Sequence, residues 1–160
     1  MTISKGDKLP DVALVKATEN GPEKVQSGDY FKGKKVALFS VPGAYTPTCS
    51  AKHLPGFVEK ARELKAKGVD EIWCVSVNDA FVMGAWGREQ KAAGKVRMMA
   101  DGSAEFSKAC GLTLDLTARG MGVRSDRYAM LVEDGVVKAL NREAPGKFEV
   151  SSAEAMLQAL

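Results

Sequence analysis

The run Lys35-Val36-Ala37-Leu38-Phe39-Ser40-Val41 is apolar at almost every position. That suits a central strand buried on both faces, because a half-exposed strand would alternate. Glu71 to Val77 repeats the pattern, and the shorter runs Val12 to Ala17 and Val96 to Ala100 predict two more strands. Asn20-Gly21-Pro22 reads as a turn. A helix is predicted from Thr46 to about Lys67, with Thr46 as N-cap, Pro47 at the first helical position and Gly68 as the stop. Pro55-Gly56 should kink it; beyond the kink Phe57, Val58, Ala61 and Leu64 recur at helical spacing. Asn78 or Asp79 caps a second predicted helix that runs to about Ala93 and ends at Gly94. A third, short helix is expected over Ala104 to Cys110, whereas Leu112 to Val123 shows no clear period. Arg127 to Glu133 and Val136 to Asn141 flank Asp134-Gly135, the strongest hairpin signal in the chain. Ser151 or Ser152 caps a last helix to Leu160.

Strands alternating with helices argue for an α/β fold with parallel pairs at the centre, a mixed sheet flanked by helices, and a C-terminal hairpin and helix. At 160 residues, one domain over residues 1–160 is expected. Hydrophobic residues at 45% and charged residues at 27% are those of a globular domain and exclude a disordered or fibrous chain. The longest apolar run, Val36 to Ala44, is far shorter than the roughly 20 residues that span a bilayer. The net charge is +3, and the densest basic cluster, Lys32, Lys34 and Lys35, is broken by Gly33. No basic stripe or nucleic-acid motif is present, so neither nucleic acid nor membrane is an expected partner. The amino terminus lacks an apolar h-region, and Cys49, Cys74 and Cys110 form neither a CxxC nor a disulfide framework. The expectation is a reducing, cytoplasmic setting with free thiols. With His53 as the single histidine, no zinc site is expected.

The segment from Val41 to Cys49 carries the chemistry. It lies where a central strand ends and a helix begins, the place where ligands collect in α/β sheets. With Thr46 as N-cap, Cys49 is the third helical residue. Helical N–H groups there lack intrahelical partners, and the dipole is positive, which favours a thiolate. A small buried cysteine in an ordinary strand-to-helix turn is the competing reading. The pattern Pro42-x-x-x-Thr46-x-x-Cys49 shifts the balance toward a reactive thiol.

That loop, P-G-A-Y-T-P-T-C-S followed by H-L-P-G-F, resembles the active-site loop of the peroxiredoxins, specifically the atypical type II subfamily. The resemblance spans nearly the whole chain, through V-S-V-N-D-A-F-V-M-G-A-W, V-R-M-M-A-D-G-S and G-V-R-S-D-R-Y-A-M. It implies a thioredoxin-like fold and a thiol peroxidase without metal, haem, flavin or other cofactor. It makes Cys49 the nucleophile that takes an oxygen from hydrogen peroxide or an organic hydroperoxide and becomes a sulfenic acid. Thr46 would hydrogen-bond the thiolate and the peroxide, and Pro42 would exclude water. Arg127, at the start of a predicted core strand, would anchor the charge, with Arg124 the weaker candidate; a solvated strand-end arginine is the bland alternative. His53, four residues after Cys49, would sit beside the site, and Arg88 would orient Arg127.

A sulfenic acid condenses with a thiol. Some members of the family carry a resolving cysteine in the C-terminal segment, but here Glu149-Val150-Ser151-Ser152 has none. Cys74 matches the position used by other members, yet it lies inside an apolar strand, so a resolving and an inert role both stand. An inert Cys74 would leave glutathione, glutaredoxin or thioredoxin as the reductant. Cys110 reads as packing. The resemblance also implies a homodimer, with Tyr45, Phe81 and Trp86 bordering the paired surface. Two other enzyme classes compete. A disulfide oxidoreductase would need the missing CxxC, and a Cys–His hydrolase would need a third, orienting group.

Overall fold

A computed structural model describes residues 2–160. Its main sheet has seven strands in the order β2-β1-β5-β4-β3-β8-β9. β1 is Ala13–Thr18, β2 Gly21–Gln26, β3 Lys35–Val41, β4 Glu71–Ser76, β5 Arg97–Ala100, β8 Tyr128–Glu133 and β9 Val136–Arg142. β3, β4 and β5 pair in parallel, while β1 joins β5 and β8 joins β3 in antiparallel. This is the mixed sheet that the apolar runs predict.

The alternation of side chains along the central strands builds two cores. Ala37, Phe39 and Val41 of β3, with Ile72 and Cys74 of β4, face one layer; Val36, Leu38, Trp73 and Val75 face the other. Helix α2 (Leu54–Ala66) covers the first face with Leu54, Phe57, Ala61 and Leu64. Helix α3 (Ala80–Glu89) adds Met83 and Trp86, and α5 (Ala153–Ala159) adds Ala153 and Met156. The short helices α1 (Ser27–Tyr30) and α4 (Glu105–Cys110) lie at the other face, where Phe31, Phe106 and Cys110 pack.

Helix ends follow local chemistry. Asp79 accepts from the Val82 N–H and caps α3; Ser152 accepts from Ala155 and caps α5. Gly68, at φ 101°, closes α2 where a left-handed residue is required. α3 stops at Glu89, short of the expected Ala93. Lys91 takes φ 56°, the Lys91 N–H reaches the Arg88 carbonyl and the Ala92 N–H reaches the Gly87 carbonyl. That pair of bonds is a Schellman closure, and burial of Ala92 fixes it without glycine.

Two elements escape the pattern of apolar positions. β2 is an edge strand with Val25 as its buried side chain, and its register with β1 rests on backbone pairing. Residues 113–125 form a separate hairpin of β6 (Thr113–Leu116) and β7 (Gly122–Ser125), joined by a 3₁₀ turn over Thr117–Arg119. Its residues are mostly half-exposed, so no face imposes a period. At the other hairpin Asp134 and Gly135 both have positive φ, 50° and 79°, as a two-residue primed turn requires. Among the described residues no helix is long and apolar enough to cross a membrane.

Candidate active site

β3 ends at Val41 and delivers Pro42, half-buried, to the loop before α2. Gly43 is crowded: a Cβ there would stand 3.1 Å from Thr46 Cγ2 and 3.5 Å from both the Arg124 guanidinium and Met121. The loop is pinned by Asn78, whose Oδ1 accepts the Ala44 N–H at 3.0 Å. The Ser50 N–H then meets the Thr46 carbonyl at 2.9 Å, so Thr46 is the N-cap by backbone geometry. Its hydroxyl, however, donates to the Gly43 carbonyl at 2.7 Å, so its proton does not go to Cys49 as expected.

The expected kink takes a specific form. Cys49–His53 is a π-helical turn in which the Leu54 N–H bonds the Cys49 carbonyl. Pro55 has no N–H, and its ring crowds the carbonyl four residues back, so the helix widens by one residue just before it. Trp86 Nε1 and Gln90 Nε2, on α3 and at its C-terminal end, bond the Ser50 hydroxyl (3.0 Å) and carbonyl (3.1 Å) and hold this turn.

Cys49 is fully buried. Arg127, the residue before β8, donates through Nη2 to Cys49 Sγ at 3.1 Å and through Nη1 to His53 Nδ1 at 2.9 Å. A guanidinium can only donate, so Nδ1 accepts and the imidazole carries its proton on Nε2. That proton goes to the Ser151 carbonyl at 2.8 Å. The His53 ring packs at a tilt against Phe39 (4.8 Å) and Phe148 (4.9 Å), and Phe148 also lies under the Arg127 guanidinium at 5.9 Å. Burial, and then the charge of Arg127, hold the imidazole down at about 3 against an ordinary 6.5. The bond to Ser151 and the charge of Glu143 oppose them. His53 is therefore neutral, and its acceptor nitrogen is occupied. It cannot serve Cys49 as a general base, which removes the Cys–His hydrolase reading.

The neutral imidazole makes stability depend on pH in a predictable direction. Below 6.5 the unfolded chain binds a proton that the folded chain refuses down to about 3. Stability is thus complete above the unfolded value and falls as pH drops through this window. Between pH 7 and pH 5 the expected loss is about 2 kcal/mol, read from urea midpoints. His53→Gln should flatten this slope. Because the chain has one histidine, its imidazole signals can be followed directly by NMR and should not titrate in this range.

The remaining expectations divide. Arg88 does not orient Arg127: it is exposed on α3, with Nη1 3.4 Å from where a Cβ on Gly84 would stand, a point 3.7 Å from Ala17 of β1. His53 takes the orienting place instead. Arg124 is spent on the Met121 and Val77 carbonyls at 2.8 and 3.0 Å and ties β7 to the loop after β4. Trp86 is fully buried core, while Tyr45 and Phe81 are 47% and 74% exposed. Cys74, opposite Phe39 and Met98 in the ladder, is fully buried; burial first, then the nearby Cys49 sulfur, push its thiol well up, against the pull of Arg127. Burial, reinforced by Asp101, pushes the Cys110 thiol up to about 12, and it packs in the opposite layer. The Ser151 carbonyl and Phe148 had no signal in the sequence, since each acts through a contact made only on folding.

Known proteins resemble this chain along nearly its whole length. The Redoxin family model covers residues 4–157. Peroxiredoxin-2B of Arabidopsis thaliana is 52% identical over 161 residues, 99% of this chain and 98% of that protein. The chloroplastic Peroxiredoxin-2E-2 of Oryza sativa subsp. japonica is 54% identical over 99% of this chain and 73% of its own length. The crystal structure of reduced Prx3 from Vibrio vulnificus in complex with hydrogen peroxide superposes with a TM-score of 0.95 at 53% identity, covering 99% of both chains. The thioredoxin-like sheet, the placement of Cys49 and this likeness along the full chain have one consistent meaning: the chain belongs to the type II peroxiredoxins.

Proposed function

We propose that this thiol peroxidase reduces hydrogen peroxide and organic hydroperoxides by direct attack of the Cys49 thiolate on a peroxide oxygen. The S–O bond forms as the O–O bond breaks. Sulfur loses two electrons and becomes a sulfenic acid, and the departing oxygen takes a proton and leaves as water or an alcohol. The observation that carries this reading is the Arg127 fork, with one nitrogen on Cys49 Sγ and the other fixed by neutral His53. A cation so held stabilises charge as it moves from sulfur to the leaving oxygen. Thr46, whose proton is committed to Gly43, has lone pairs free to accept the peroxide O–H. Pro42 closes the strand side of the pocket against water. Peroxide consumption by the reduced protein, compared with Cys49→Ser, tests the proposal.

An external thiol regenerates Cys49, either glutathione with glutaredoxin or thioredoxin. Cys74 is a poor partner, since it is locked between two strand ladders and its thiol resists ionisation. A chain whose three cysteines are free and which depends on a thiol reductant suits a reducing compartment such as the cytoplasm. The exposure of the large apolar side chains Tyr45 and Phe81 supports a homodimer that pairs through a surface including them. Phe81→Asp is expected to convert a dimer to a 17.1 kDa particle in light scattering, and a wild type already monomeric at micromolar concentration contradicts this surface.

A further inference from the structure

The loop behind the active site is organised by one carboxylate. Glu143 follows β9, and its N–H donates to the Arg127 carbonyl at 3.0 Å, so it is tied to the backbone of the site arginine. Its side chain is 7% exposed and turns into the loop that leads to α5. There it accepts the N–H groups of Glu149 (2.9 Å), Val150 (2.8 Å) and Ser151 (2.8 Å), and the Ser151 hydroxyl at 2.7 Å. Burial alone would raise this carboxyl, but the Ser151 hydroxyl and the three N–H groups outweigh it and hold the group below its ordinary value. Three successive N–H groups converging on one anion form a nest, whose shape depends on the charge it encloses.

The nest has a direction. By fixing Ser151, it aims the Ser151 carbonyl at His53 Nε2, 2.8 Å away. That bond selects the tautomer, which leaves Nδ1 as the acceptor for Arg127 Nη1, and Nη2 then reaches Cys49 Sγ. Glu149 and Val150 are exposed, so the loop is held by the nest together with Phe148 packed against His53 and the Ser151 carbonyl on His53. We propose that Glu143 is a positioning residue for peroxide reduction, acting on Cys49 through the Ser151 carbonyl, His53 and Arg127. The inference rests on the role given above to Arg127 and extends it to a residue that touches neither sulfur nor substrate.

A carboxylate that merely stabilised the loop would slow the enzyme independently of Arg127. A positioning residue acts through Arg127, so its effect disappears when the arginine fork is gone. Glu143→Gln places an amide N–H against the converging donors. It is expected to lower the second-order rate constant with hydrogen peroxide by about 10- to 100-fold. The ¹⁵N signals of the His53 imidazole should lose the pure Nε2-protonated form. In an Arg127→Lys background the same substitution should change the rate by less than about twofold. Glu143→Asp, which keeps the charge and shortens the reach, should give an intermediate loss with the same non-additivity, and it serves where the glutamine variant does not fold. Full activity in Glu143→Gln, an unchanged His53 tautomer, or a loss that persists undiminished beside Arg127→Lys overturns the proposal. If Arg127→Lys alone matched wild type, the reading of the active site itself would be what failed.

Discussion

Cys49→Ser is expected to lower the rate of peroxide reduction by at least about three orders of magnitude while the chain stays folded. A serine hydroxyl attacks only when a base removes its proton, and the one nearby imidazole is neutral with its acceptor nitrogen held by Arg127. The side chain is fully buried in the core layer that also holds Phe39, Leu54 and Phe57; serine is close to cysteine in size, and its hydroxyl can still accept from Arg127. Circular dichroism and melting temperature should therefore stay near wild type. Cys74→Ser and Cys110→Ser should retain the fast reaction, because burial keeps both of those thiols protonated. Peroxide consumption within the first turnover, measured by stopped flow, separates the three variants. A fast reaction in Cys49→Ser would transfer the chemistry to another sulfur.

Arg127→Lys should cost about 100- to 1,000-fold in the same rate constant, the loss typical of removing one preorganised donor from a developing charge. The substitution keeps the charge and is still not conservative. The guanidinium spans two partners with rigid geometry, Cys49 Sγ at 3.1 Å and His53 Nδ1 at 2.9 Å. An ammonium on a flexible stem meets one of them at a time and leaves the other group unpaired. Single-turnover rates against hydrogen peroxide, with melting temperature as the folding control, read this out. A wild-type rate in Arg127→Lys would mean that position and not geometry matters there.

The parts of this fold that were legible share a cause. Val36 to Val41, Ile72 to Val75 and the Asp134-Gly135 hairpin carry their structure in local pattern, because burial on both faces or a primed turn leaves few alternatives. β2 and the β6–β7 hairpin left no such trace, since backbone pairing rather than an apolar face holds them. The place of Cys49 at a strand-to-helix junction was legible as a local feature, while its role as nucleophile came from the pattern with Pro42 and Thr46 and from the family resemblance. Arg127 came from the family resemblance, and its partner had to come from the structure. The bond to His53 joins residues 74 apart in the chain, and the Ser151 carbonyl reaches His53 across 98. Arg88 was placed wrongly for the same reason, because nothing in its neighbours tells which way an exposed helix-end side chain turns. The Thr46 hydroxyl was expected at the sulfur, and only the geometry of the Gly43 carbonyl shows where its proton goes.

The central claim is that Cys49 alone receives the peroxide oxygen. The most direct measurement is intact mass of the reduced protein after one equivalent of hydrogen peroxide, for wild type, Cys49→Ser and Cys74→Ser. The account predicts a gain of one oxygen atom in wild type and in Cys74→Ser, reversed by glutathione or a dithiol reductant, and no change in Cys49→Ser. A loss of two hydrogens in wild type, absent from Cys74→Ser, would make Cys74 the resolving thiol. An equal gain in all three proteins would contradict the account.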